Sequence, residues 1–348
     1  MSDVDRFAGP DPQDMRSQIQ GLPDQLEAGW ELGLRQPPPP RVRPGLVLLA
    51  GMGGSAIGAD LVSAYAGPDL PVPAVVWRGY GLPAYVGSET LVVLSSHSGN
   101  TEETLSSYES ARRLGAPMLA ITTGGELAER SEKDGVPLWR FEHRGQPRAA
   151  VGFSFALLLA ALHRCGLAAD AGEEIRMAVQ AMRHQQPSLA PETPVARNPA
   201  KRMAGQFIDR LPLIVAGGFL APVARRWRTQ IAELAKAVAQ FEELPEADHN
   251  MVAGVDFPAS LIARTMAVFL RAGLDLPRLA ARAEATRQVL MVEGFNTDLV
   301  DAAGTTRLAQ QWTCLHFGDY IAYYLALAYG ADPTPVAAIE DLKARLRA

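Results

Sequence analysis

The sequence lacks most of the features that would place it in a specialised class. It has 2 cysteines in 348 residues, Cys165 and Cys314, too few for a disulfide framework or a cysteine-rich zinc module. Two free thiols in a reducing compartment are expected. Positive charge is not in excess either: 33 Lys and Arg stand against 38 Asp and Glu, a formal net charge of −5. Broad nucleic-acid binding is therefore not expected. The longest apolar run, Phe153 to Leu162, is about half of what a bilayer requires, so no membrane association is expected. The opening Met1-Ser2-Asp3-Val4-Asp5 is acidic and polar, unlike a secretory signal. The histidines at positions His97, His143, His163, His184, His249 and His316 are scattered without ligand-like spacing, and no metal or other cofactor is expected. A cytoplasmic location is expected.

What is present is a globular composition, 48% apolar, and enough chain for two domains with substantial cores. Residues 1–40 read as a lead-in, with a helical period from Met15 to Leu34 and a stiff spacer at Pro37–Pro40. A regular alternation follows, with strands expected at 46–50, 72–77, 90–95, 117–122 and 137–141. Helices are expected between them at 56–65, 102–114 and 126–133, and afterwards at 151–165 and 173–183. This is the pattern of a parallel sheet covered on both faces. Four prolines mark 185–199 as a linker. The pattern then restarts with a helix at 201–208, a strand at 211–216, a long helix at 222–239 and a strand at 239–242. Further apolar segments at 261–270, 279–289 and 296–300 precede helices at 308–327 and 336–347. The expected architecture is α/β: two tandem three-layer α/β/α domains with mainly parallel sheets, at 41–184 and 200–335. A C-terminal helix closes the chain at 336–348.

Chemistry concentrates at two turns. After the first strand comes Gly51-Met52-Gly53-Gly54-Ser55, and after the third comes Ser96-His97-Ser98-Gly99-Asn100-Thr101. Both should lie beyond the carboxyl ends of the strands, where ligands bind in such sheets. Each opens a helix, whose N-terminus offers unpaired N–H groups and partial positive charge to an anion. A polar turn with an ordinary N-cap is the plainer account of the second. The first departs from the dinucleotide fingerprint, since Arg78 rather than an acidic residue follows the second strand, and no nucleotide P-loop is present. A phosphate monoester of something small fits better than a nucleotide.

Together these two turns resemble the phosphosugar-binding signature of the sugar isomerase (SIS) domain. Further matches resemble the bifunctional phosphoglucose/phosphomannose isomerase family: Arg78-Gly79-Tyr80-Gly81-Leu82-Pro83, Gln146-Pro147-Arg148, Glu243 to Asn250 (ELPEADHN) and Leu342-Lys343. The resemblance runs from about residue 45 to the end and implies two flavodoxin-like SIS domains in a homodimer with shared sites. It further implies interconversion of glucose 6-phosphate or mannose 6-phosphate with fructose 6-phosphate, without metal. Carried over, Gly54, Ser55, Ser96, Ser98 and Thr101 would hold the phosphate. Arg148 would stabilise the enediolate, Glu233 would be the base, and His249 would open the ring from the partner subunit. Lys343 would assist at the ring oxygen; Thr334 would help position a water or the sugar near carbon 2, and His97 would either contact the phosphate or simply pack.

These residue types suit the reaction. Moving a proton between two carbons needs a carboxylate that takes and returns it. The oxyanion needs fixed positive charge, which arginine never loses, and ring opening suits histidine. Plainer accounts stand beside them. Glu233 borders the apolar stripe Ile231, Leu234, Ala235 and Val238, and is placed to pair with Lys236. His249 lies in a polar acidic loop, Arg148 in a basic patch with Arg144, and Lys343 in a charged terminal helix. Three positions depart from the family pattern. Ala232 and Leu234 replace asparagines beside the base, and His97 replaces an aromatic residue. The rival from another class is a catalytically silent SIS protein that binds a sugar phosphate.

Overall fold

A computed structural model describes residues 7–347. It divides into two units. The first comprises Gly21–Met182 with Gly304–Gln310; the second comprises the chain up to Gln20, Arg183–Ala303 and Gln311 onward. In chain order the elements are α1 (Met15–Gln20), α2 (Leu22–Arg35), β1 (Leu46–Ala50), α3 (Gly53–Ala66), β2 (Ala74–Trp77), β3 (Thr90–Ser96), α4 (Glu102–Leu114), β4 (Met118–Thr122), α5 (Gly125–Asp134), β5 (Leu138–Arg140), α6 (Val151–Arg164) and α7 (Gly172–Leu189). They continue with α8 (Pro199–Phe207), β6 (Leu211–Gly217), α9 (Ala221–Leu234), β7 (Gln240–Leu244), α10 (Ala259–Ile262), β8 (Thr265–Arg271), α11 (Pro277–Val292), β9 (Asn296–Asp301), α12 (Arg307–Ala328) and α13 (Ala337–Arg347).

The first unit holds a parallel sheet in the order β2-β1-β3-β4-β5, the flavodoxin order. Its central strands are near-continuous apolar runs, LVLLA in β1 and TLVVLSS in β3, because both faces of a parallel sheet are covered. Leu48, Val92, Leu94 and Ala120 form a core with Tyr108 and Leu127 from α4 and α5. Left-handed glycines at Gly115 and Gly135 close those two helices. The second unit repeats the order with one strand fewer, β7-β6-β8-β9, all parallel. Val215, Ala267 and Phe269 pack there against Leu290 of α11. The expected α/β class with parallel sheets is borne out.

Two helices end where sequence alone does not place them. α9, expected to reach Ala239, stops at Leu234, because Lys236 turns left-handed at φ 56° and its ammonium bonds the Glu233 carbonyl at 2.6 Å. α7 continues through Pro187 to Leu189, into the proline-rich stretch. There Gln185 donates to the Thr313 carbonyl at 3.0 Å and Gln186 to the Gln20 carbonyl at 2.6 Å. Tertiary bonds of this kind override a local breaker near a helix end. Among the described residues no helix is long and apolar enough to cross a membrane.

Candidate active site

In the first unit β1 and β3 are neighbours, with Ala50 paired to Leu94. The two turns that follow them therefore lie side by side where the strand order reverses, the place where open α/β sheets bind ligands. Ser55 is buried in the first turn of α3, and a Cβ added at Gly51 would come within 2.8 Å of the Ser95 carbonyl and 3.2 Å of the Ser55 Cβ. The second turn is tied up internally. The Ser96 and Thr101 hydroxyls are 2.9 Å apart, the Gly99 N–H donates to Ser96 Oγ at 3.1 Å, and the Asn100 N–H donates to Ser98 Oγ at 3.2 Å. Gly99, at φ 70°, sits so close to the Gly124 carbonyl that no side chain fits. Asn100 Oδ1 in turn accepts from the Glu126 N–H at 3.0 Å.

Capping does not account for these hydroxyls. Thr101 occupies the N-cap position of α4, yet its side chain makes no capping bond and turns to Ser96 instead. Met52, at the N-cap of α3, supplies none either. Two helix N-termini thus meet a hydroxyl cluster with no N-cap side chain over them, an arrangement suited to an anion with several acceptor oxygens.

Arg148 lies beside this socket, in the short 3-10 turn Pro147–Ala150 that leads into α6. It is 4% exposed and its Nη1 donates to Gln146 Oε1 at 3.4 Å. Gly54 makes the approach feasible: a Cβ there would fall 2.9 Å from the Pro147 carbonyl oxygen and 3.3 Å from the Arg148 Cα. Arg148 is therefore a buried cation, not the surface charge that its basic neighbourhood in the sequence allows. His97, within the second turn, is half-buried against His143, with Nε2 and Nδ1 3.0 Å apart. Burial, and secondarily the neighbouring His143, push His97 down to about 4; burial also lowers His143.

The second unit carries the other four candidates on four segments. Glu233, half-buried, is in the last turn of α9, flanked by exposed Ala232 and fully buried Leu234. His249 is exposed at the end of the 3-10 turn Glu246–His249 that follows β7. Thr334 is buried between α12 and α13, its N–H donating to Asp332 Oδ1 at 2.9 Å. Lys343 is exposed on α13. Among the described residues no three His, Cys, Asp or Glu side chains gather in a way that could hold a metal ion.

Residues 196–346 match the family model of the bacterial phospho-glucose isomerase C-terminal SIS domain. The bifunctional phosphoglucose/phosphomannose isomerase of Caldicellulosiruptor bescii is 37% identical over 336 residues, covering 95% of this chain and 98% of that one. Its namesake from Aquifex aeolicus is 31% identical over 302 residues, covering 86% and 90%. The chain belongs to the bifunctional phosphoglucose/phosphomannose isomerase family. A hypothetical protein from Thermus thermophilus shares the fold, with a TM-score of 0.75 at 18% identity over 97% of this chain and 90% of that one.

Membership of the phosphoglucose/phosphomannose isomerase family bears out the resemblance read from the turns. Two residues that support candidate side chains, one in each unit, have no role assigned from sequence. Asp248, inside the quoted motif before His249, accepts from Arg282 Nη1 at 2.7 Å and from Thr286 Oγ1 at 2.6 Å, which fastens the His249 turn to α11. Its acidic surroundings in the sequence give no sign of a partner 34 residues away. His143 reads in the sequence only as one scattered histidine; nothing there pairs it with His97.

Proposed function

We propose that this protein is a metal-independent aldose–ketose isomerase that interconverts glucose 6-phosphate, mannose 6-phosphate or both with fructose 6-phosphate through an enediolate. One observation carries the reading: a family member whose hydroxyl socket lies at two helix N-termini without capping side chains, next to the buried guanidinium of Arg148. In this reading Gly54, Ser55, Ser96, Ser98 and Thr101 hold the phosphate, with His97 nearby. The sugar's reacting end then meets Arg148, whose permanent charge stabilises the developing oxyanion in a site from which water is excluded. Glu233 removes the proton from one carbon and returns it to the next. His249 of the partner subunit exchanges the proton that opens the ring, Lys343 assists at the ring oxygen, and Thr334 orients the sugar near carbon 2. The enzyme works as a homodimer in the cytoplasm.

Fructose 6-phosphate incubated with the pure protein and EDTA should yield glucose 6-phosphate, mannose 6-phosphate or both. Binding without either product would replace the enzyme by a sugar-phosphate-binding protein. Mixing inactive Glu233→Gln and His249→Ala proteins should restore part of the activity through hybrid dimers. No recovery after verified subunit exchange would place both residues in one subunit's site.

A further inference from the structure

Resting on that reading, we propose that His143 is a positioning residue of the isomerase site. Its hydrogen bond to His97 holds the segment that carries Arg148 against the phosphate-binding turn. The two ends of this bond are held very differently. His97 belongs to a turn already fixed without it, since its carbonyl accepts from the Thr123 N–H at 3.2 Å and from Thr123 Oγ1 at 2.7 Å. The hydroxyl bonds among Ser96, Ser98, Gly99, Asn100 and Thr101 fix the rest. His143 belongs to the stretch that runs from Phe141, whose N–H donates to the Thr122 carbonyl at 3.3 Å, to the Pro147–Ala150 turn. Along that stretch Glu142, Arg144 and Gly145 are exposed, while His143 turns inward. The imidazole pair therefore ties the exposed stretch to the phosphate-binding turn five residues before Arg148, whose own turn packs on Gly54.

The surroundings favour a directed bond over a chance contact. The two imidazoles meet edge-on with centroids 5.2 Å apart. His97 also sets its ring edge-on to Phe141 at 5.9 Å, His143 does so to Phe153 at 6.2 Å, and the two phenyl rings stack at 5.4 Å. Two phenyl rings thus flank one N–H···N bond between half-buried imidazoles, and partial shielding from water strengthens such a bond. Burial lowers both imidazoles, and His143 lowers His97 further, to about 4. At neutral pH both rings are then uncharged, so one supplies the proton and the other the lone pair. A like-charged pair, which would push the segments apart, does not form.

The consequence falls on rate more than on binding. The phosphate turn keeps its own bonds when His143 is lost, but a guanidinium displaced by a fraction of an ångström meets the oxyanion poorly, and such displacements are costly to catalysis. For His143→Ala we expect kcat to fall about tenfold, with the KM for fructose 6-phosphate within about twofold of wild type. His143→Asn, which keeps a hydrogen-bonding atom near the Nδ1 position, should recover most of the loss. His97→Ala/His143→Ala should be no slower than the slower single variant, because both remove one bond. Unchanged kcat in folded His143→Ala would overturn the proposal, as would a folded His143→Asn as slow as His143→Ala, or losses that multiply in the double variant. If His143→Ala does not fold, His143→Phe and His143→Asn carry the same test: the phenyl ring keeps the packing but not the bond to His97, so a tenfold loss of kcat is expected in His143→Phe and a near-normal kcat in His143→Asn, and equal rates in the two overturn the proposal. Should the wild type itself turn over neither aldose, the Arg148 Nε–H resonance serves as the readout. It should move in His143→Ala and return in His143→Asn; a resonance that stays put refutes the proposal independently of the isomerase reading.

Discussion

The turn after β1 and the turn after β6 occupy the same place in two copies of one topology, and they are furnished in opposite ways. Each has a left-handed glycine, Gly53 at φ 50° and Gly218 at φ 55°. Beside Gly53 the space is open: an added Cβ would meet nothing within 4 Å. Beside Gly218 the same Cβ would run into the carboxylate of Asp275, which comes from the segment after β8. That segment corresponds in strand order to the one that carries Ser96, Ser98 and Thr101 after β3. One copy thus surrounds its glycine turn with hydroxyls and leaves it open; the other fills it with an acid of its own. An anion site is therefore a property of the loops and not of the fold that holds them. In the second copy the last turn of α9 bears Glu233, the residue that the proposed function makes the base.

The sharpest way to break this division is to separate binding from reaction. Glu233→Gln should lower turnover by about a thousandfold, within the range for loss of a general base, while fructose 6-phosphate binds as before by calorimetry; a weaker affinity would move Glu233 into the binding apparatus. Ser98→Asp gives the first turn the acid that the second already has. Repulsion between that carboxylate and a phosphate dianion should weaken binding by about a hundredfold, with the melting temperature little changed because Ser98 is exposed. The reverse experiment is smaller. Asp275→Asn should cost about 1 kcal/mol of stability in urea titrations, the usual worth of a carboxylate at a helix start, and a neutral result would make the self-filled turn incidental.

Acid titration compares the units more gently. His316, buried in the second unit with Nε2 3.0 Å from the Ile19 carbonyl, is held at about 4 chiefly by burial, as His97 is in the first. The ordinary value is 6.5, so between these two the unfolded chain binds more protons than the folded one. Stability is then complete above about pH 6.5 and is lost as pH falls toward about 4. His316→Gln should flatten this decline in a series of thermal melts, whereas an unchanged slope would assign it to other groups.

The first unit is largely legible in the sequence. Its strands are apolar runs, its turns are marked by glycine, and α4 lies at Glu102–Leu114 as expected because Thr101 and Gly115 bracket it. The end of α9 is not legible, since a lysine in the left-handed region leaves no signal comparable to glycine. Nor is the burial of Arg148. A Gln-Pro-Arg stretch beside Arg144 reads as surface charge, and only the close approach allowed by Gly54 reveals it as interior. Contacts between remote positions, such as Asp248 with Arg282 or His97 with His143, leave no trace in local composition. They depend on the register of the sheet and on where each helix starts.

Thr101 gives up the capping of α4 in order to bind Ser96, and that diversion reaches beyond the site. A helix whose first turn lacks its side-chain cap is an unfinished piece of secondary structure, and under the proposed function an arriving phosphate would finish it. Ligand binding is in that sense the last step of folding for this element. A ligand present at a hundred times its dissociation constant adds about 2.7 kcal/mol to stability. The lifetime of the protein against heat and proteolysis should accordingly follow the supply of its own sugar phosphate, making abundance of the enzyme a passive gauge of abundance of its substrate.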